Sequence, residues 1–276
     1  MFGEDNPIPQ YVGQDHSFDP AAAYYAHRPD YPKAFYNELQ STLGRFRNGR
    51  VIDLGCGDAR VASHVAHMGA EVLAVDLSER MLSAAAKRLQ GLSDSRVYLL
   101  QGEAGRLPLP SGTVDAVLIG QAFHWMSKES VGREVARVLT PHGLWGVFSI
   151  QPVWPLSLSA QVSDTLIGEF VPDYDAVAAH NLVLKNQIPT HLGFQVRTWS
   201  AEFSHNYRLE DYVTMVMSKS YVAASLNSKS TTVFKKELSK RLESNGLVPT
   251  VEERYLLTTC FAQRKGDSEL EKSNTP

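Results

Sequence analysis

The sequence predicts an α/β fold, a mostly parallel sheet with helices on both faces that opens on a nucleotide-binding turn. Three observations carry this. Short apolar runs near 51–54, 71–75, 97–100, 114–119 and 144–150 alternate with stretches of helical periodicity. The first run passes into a glycine turn, Gly55-Cys56-Gly57, and then into an apolar helix face. The second run ends in an acid, Asp76, 19 residues after Gly57.

The 276 residues, 43% of them hydrophobic, suffice for one large α/β domain with an elaboration, or for two small ones. A formal charge of −3 with no run of lysine and arginine disfavours a nucleic-acid partner. The acidic start lacks the basic-then-apolar pattern of a signal peptide, and no apolar stretch approaches the roughly 20 residues of a membrane span. Cys56 and Cys260 are far apart, so neither a disulfide framework nor a metal site is expected. These features predict a cytoplasmic protein with no metal, nucleic-acid or membrane partner; a monomer or homodimer is the expected state, which no feature of the sequence decides.

Residues 1–17 read as a polar, flexible lead-in. A helix is expected from Pro20 to about His27, with Arg28 extended because a proline follows it. Residues 32–46 carry Phe35, Leu39, Leu43 and Phe46 on one helical face. Val51 to Leu54 is a buried strand. Gly55 and Gly57 allow the backbone close to a ligand, and the helix beyond offers unpaired N–H groups. The dinucleotide fingerprint requires glycine at position 60, where Arg60 stands, so a nicotinamide cofactor is disfavoured. Asp53, two residues ahead of Gly55, is a poor neighbour for pyrophosphate and suits a cationic ligand such as an ammonium or sulfonium.

Residues 53–59 resemble motif I of the class I S-adenosylmethionine-dependent methyltransferases, acid-x-Gly-x-Gly-x-Gly, with Ala59 in the last glycine's place. The small-molecule type, including the group related to trans-aconitate methyltransferase, is the nearest resemblance. It implies a Rossmann-like seven-stranded sheet of order 3-2-1-4-5-7-6 with strand 7 antiparallel. S-adenosylmethionine is the implied cofactor, and Asp53, Gly55, Cys56 and Gly57 are its motif I contacts.

Asp76 at the end of the second strand can accept hydrogen bonds from a ribose diol. Leu77 follows it, and Ser78 caps a helix running to Leu89 with Met81 inward and Gly91 as its end; Leu77 and Met81 join the cofactor set. The third strand, Val97 to Leu100, leads to Glu103 and Ala104. By resemblance these two face the adenine, as Tyr25 and Arg28 face the methionine end. The fourth strand, Val114 to Ile119, is apolar on both faces, as a central parallel strand should be. It delivers Gln121, His124 and Trp125 to the sheet's carboxyl edge, where open α/β sheets bind ligands.

This Gln-x-x-His-Trp stretch resembles that of small-molecule methyltransferases. Gln121 is assigned to the cofactor, Trp125 to the acceptor, and His124 to catalysis as a general base. A carboxylate acceptor would need only hydrogen-bond donors, whereas an alcohol or phenol would need the base. Ser127 caps the next helix, Pro141-His142-Gly143 turns the chain, and Leu144 to Ile150 is the fifth strand.

Residues 151–192 fit the repeat poorly and read as a lid insertion, with Trp154 and Tyr174 as acceptor-binding walls. A strand from Phe194, helices at 209–218 and 229–245, and a strand from Val251 to Arg264 complete the pattern. The expected organisation is one domain over 18–265, with N-terminal helices over 18–48 and a disordered tail over 266–276. The predicted function is methyl transfer to a small-molecule acceptor, with oxygen favoured. Alternatives are transfer to carbon or nitrogen, an inactive cofactor-binding partner subunit and, last, an NAD-dependent oxidoreductase.

Overall fold

A computed structural model describes residues 19–90, 96–180 and 188–264. The expected lead-in over 1–17, the helix end at Gly91, part of the predicted lid and the tail over 266–276 lie outside these residues. The sheet has seven strands in the order β3-β2-β1-β4-β5-β7-β6, with β7 antiparallel. They are β1 (Arg50–Leu54), β2 (Glu71–Asp76), β3 (Val97–Gln101), β4 (Val114–Gly120), β5 (Leu139–Pro152), β6 (Phe194–Arg208) and β7 (Thr250–Arg264). The pairs β1–β2, β1–β4, β2–β3 and β4–β5 are parallel. The chain reverses its direction of travel across the sheet between β1 and β4, which makes that point the ligand crevice of an open α/β sheet.

The chain divides into two compact units, one of residues 31–150, 183–201 and 257–276 and the other of 1–30, 151–182 and 202–256. The first holds β1 to β4, the body of β5, and the helices α2 (Lys33–Leu43), α3 (Arg60–His67), α4 (Glu79–Leu89) and α5 (Lys128–Val138). Its core gathers Ile52, Val117, Ile119, Phe123, Val135 and Trp145, all essentially inaccessible. Burying each such side chain contributes roughly 1.5–3 kcal/mol. The described residues of the predicted lid divide between the two units, 151–180 in the second and 188–192 in the first. That second unit contains α1 (Asp19–Ala22), α6 (Leu158–Phe170), α7 (Ala176–His180), α8 (Leu209–Met217), α9 (Ser220–Ser225) and α10 (Ser228–Ser244).

Several predicted elements change shape. The helix expected over 20–27 breaks into α1 and a 3-10 turn over Tyr25–His27. Pro29 has no N–H to offer the Tyr25 carbonyl, so Arg28 N–H bonds it at 3.1 Å and tightens the turn. The helix expected to Phe46 stops as α2 at Leu43, and Gly44–Phe46 continue as 3-10. The turn at 141–143 is absorbed into β5. Pairing advances from Val114↔Leu139 to Ala116↔Leu144, two residues against five, which makes it a bulge. The short helices α7 and α9 carry too few periodic positions to be read from sequence.

Candidate active site

The turn after β1 is left-handed at alternate residues: φ is +71° at Gly55, +55° at Gly57 and +58° at Ala59. Gly55 and Cys56 donate to the Val75 carbonyl at 2.8 and 3.0 Å, which holds the turn against β2. A Cβ on Gly55 would lie 2.6 Å from the Ala122 Cβ and 3.1 Å from the Met126 Cε. The protein's own loop after β4 therefore requires a glycine here, beside any approach of a ligand.

Asp53 is 2% exposed and accepts the Ala62 N–H at 3.0 Å. Ala62 is the third residue of α3, and the residue preceding that helix, Ala59, has no side chain to cap it. Asp53 thus supplies the missing cap from within the strand. Burial pushes its carboxyl up to about 7 against the Ala62 hydrogen bond, with Asp76 and Asp58 adding to the rise. The acid expected to suit a cationic ligand is thus also a buried brace of α3. Cys56 is also buried, and its thiol is pushed far up by burial, so it is no nucleophile at neutral pH.

Asp76 bridges the turn and the next helix, accepting from Gly57 N–H and Ser78 N–H at 2.9 Å each. A carboxylate oxygen can accept more than one hydrogen bond, and Asp76 stands half-exposed at the end of β2. Ser78 Oγ caps α4 by accepting Met81 N–H at 3.1 Å. Leu77 beside it is 56% exposed, an apolar flank open at the crevice. Met81 is core, 3% exposed, which recasts it as packing rather than a cofactor contact. Glu103 is exposed just past β3, and Ala104 packs half-buried against the core. The strand-end acid, the glycine cradle and the open apolar flank fit the nucleoside half of S-adenosylmethionine.

After β4, Gln121 adopts φ +55°. Its amide oxygen accepts Ile150 N–H at 3.0 Å, while its amide nitrogen donates to the Ile150 carbonyl at 3.1 Å. The side chain thereby extends the β4–β5 pairing like a peptide group, and its expected ligand role becomes that of a brace. Phe123, fully buried, pins a 3-10 turn that presents half-buried His124 and Trp125 with ring centroids 4.7 Å apart.

The other predicted residues belong to the second unit. Arg28 lies 4.7 Å from the centre of the Tyr25 ring and donates to the Ser218 hydroxyl and carbonyl at 3.0 and 2.8 Å. It thus caps the carboxyl end of α8. Trp154 is 59% exposed. Tyr174 donates to Asp164 at 2.8 Å, and Asp164 also takes His180 Nε2 at 2.6 Å and faces Lys219 at 3.8 Å. Burial raises the Asp164 carboxyl, but His180, Lys219 and Tyr174 outweigh it and hold the group below its ordinary value. Sequence reasoning missed this cluster because its members lie on separate elements with no local spacing to link them.

Residues 52–146 match the methyltransferase domain family. An uncharacterized methyltransferase of Mycobacterium tuberculosis is 38% identical over 125 residues, 45% of this chain and 48% of that protein. A malonyl-[acyl-carrier protein] O-methyltransferase of Enterobacter lignolyticus is 31% identical over 129 residues, covering 46% and 49% of the two chains. A sterol 24-C-methyltransferase of Gibberella zeae is 32% identical over 136 residues, covering 48% and 33%. The chain spans about half the length of the first curated relatives it matches. A structure from Anaeromyxobacter dehalogenans assigned as a type II methyltransferase shares the fold, with a TM-score of 0.61 and 21% identity over 86% of this chain and 97% of that one. Among the described residues no helix is long and apolar enough to cross a membrane. Residues 52–146 thus match a methyltransferase domain, and the sheet order is the one expected of the class I S-adenosylmethionine-dependent methyltransferases.

Proposed function

We propose that the protein transfers the methyl group of S-adenosylmethionine to an oxygen of a small-molecule acceptor, a carboxylate or a hydroxyl. The observation that carries this reading is the His124–Trp125 pair held by the buried Phe123 at the carboxyl end of β4, in the same unit as the glycine turn and Asp76. When the cofactor is bound, Asp76 would hold the ribose diol, and Glu103 and Ala104 would hold the adenine with Leu77 beside it. Gly55 to Gly57 take the methionine half.

The cofactor supplies an electrophilic methyl group, and transfer is an in-line displacement whose rate depends on placement of the acceptor oxygen. Trp125 donates its indole N–H to an anionic carboxylate, which needs no base. For a hydroxyl acceptor His124 takes the proton, a role worth roughly 10²–10⁴ in rate.

The test is transfer of labelled methyl to a panel of carboxylic acids, phenols and alcohols, with amines and carbon nucleophiles alongside. Base-labile label on acids, or label on a phenolic oxygen, is the expected result. Label on carbon or nitrogen would replace the oxygen reading, and cofactor binding with no transfer to any class would favour an inactive partner subunit. With a hydroxyl acceptor, His124→Gln should lower kcat about a hundredfold or more. With a carboxylate acceptor its effect should be small and independent of pH.

A further inference from the structure

Asp58, between Gly57 and Ala59, has a side chain only 5% exposed and is held by two arginines. Arg60 grips it through two bonds, Nε to Oδ1 and an amino group to Oδ2, each 3.0 Å. Arg88, in the last turn of α4, donates to Oδ2 at 2.6 Å. Arg60 is itself mostly buried, at 10% side-chain exposure. The pairing outweighs burial and holds the Asp58 carboxyl below its ordinary value.

The turn these groups surround is not one the chain adopts readily. A left-handed non-glycine residue such as Ala59 costs roughly 1–2 kcal/mol. Such conformations persist only where the surroundings over-determine them. Two elements grip adjacent residues of the turn: Asp76, the last residue of β2, accepts the Gly57 N–H, and Arg88 in the last turn of α4 takes the Asp58 carboxylate. Asp53, Asp58 and Asp76 bring three carboxyl groups to one turn, and Arg60 and Arg88 pair with the Asp58 carboxylate among them.

We infer that Asp58, Arg60 and Arg88 form a positioning clamp that pre-shapes the 55–59 turn and the ribose acid Asp76 for the cofactor, an inference that rests on the methyltransferase reading. None of the three is assigned a contact with the ligand. They act by lowering the ordering that binding would otherwise require. Arg60, which excludes the dinucleotide fingerprint, thereby gains a role of its own.

The experiment is calorimetric titration of S-adenosylhomocysteine into wild type, Asp58→Asn, Arg88→Met and Arg88→Lys, well below each protein's melting temperature. Amide exchange of residues 55–59 is followed with and without ligand. The clamp predicts affinity weakened about tenfold or more in Asp58→Asn and Arg88→Met. It also predicts faster exchange in the turn that the ligand restores, and recovery of most of the affinity in Arg88→Lys. A lowered melting temperature with wild-type affinity would make the cluster a stability element only and overturn the inference. If wild type itself fails to bind, the methyltransferase reading falls instead. If Asp58→Asn fails to fold, the Arg88 pair decides alone, because Arg88 is one-third exposed at the end of its helix.

Discussion

At the residue scale, Asp53 shows how a motif position can be right while its reason differs. The sequence marks an acid ahead of the glycines, but only the fold shows that its carboxylate caps α3 through Ala62. Its folded value of about 7 lies above the unfolded value near 3.9. Between those values the folded state holds more protons than the unfolded one. This group's contribution is therefore complete below about pH 4 and is lost as pH rises towards 7. Asp58 and Asp164 have the opposite sign, with stability lost only as pH falls through the lower carboxylate range. The difference between wild type and Asp53→Asn over pH 5–7 isolates Asp53. Urea unfolding should show wild type losing stability relative to the variant at up to about 1.4 kcal/mol per pH unit. Parallel curves would mean that Asp53 titrates as an ordinary carboxylate.

At the scale of elements, the turn between β1 and α3 is set by its neighbours as much as by its own residues. Gly55 combines φ +71° with a Cβ position 2.6 Å from Ala122, whereas Gly112 has φ +68° and nothing within 4 Å. Both lose the left-handed freedom of glycine on substitution, at roughly 1 kcal/mol. Only Gly55→Ala adds overpacking, typically 1–3 kcal/mol more. Denaturant midpoints should therefore fall about two to four times as far for Gly55→Ala as for Gly112→Ala, and equal falls would show that the loop after β4 yields freely. The strands β1 to β4 were legible because each is a short apolar run closed by glycine or acid, and Asp76 stood out by its place at a strand end. The engagement of Gln121 with Ile150 and the Asp164 cluster were not legible. Both depend on partners 29 and 16 residues away that obey no helical or strand period. The break in the 20–27 helix was half legible, since Pro29 fixes Arg28 as extended but says nothing of the Tyr25 carbonyl left behind.

At the scale of the whole molecule, a cofactor that binds only the folded chain must raise its stability by mass action. The unit holding β1 to β4 contains the turn, Asp76 and the His124–Trp125 pair, so the transition that unfolds it is the one a ligand should move. At a hundredfold excess over its dissociation constant, S-adenosylhomocysteine should add about 2.7 kcal/mol. That corresponds to several degrees for a domain of this size, at about 2–4 °C per kcal/mol. NAD shares the ribose that an acid like Asp76 accepts, but its pyrophosphate would meet a turn with Ala59 and Arg60 in place of the glycine-rich fingerprint. Its melting shift at the same concentration should be absent. A shift with NAD alone would return the chain to the dehydrogenase reading. A shift with both would mean that the turn discriminates less than its chemistry implies, and that Asp76 supplies most of the recognition. Asp76→Ala then separates these cases. It should abolish the shift with S-adenosylhomocysteine while lowering the melting temperature of the free protein by only about 4–8 °C, because the part-buried hydrogen bonds to Gly57 and Ser78 are worth roughly 1 kcal/mol each and no core packing is lost.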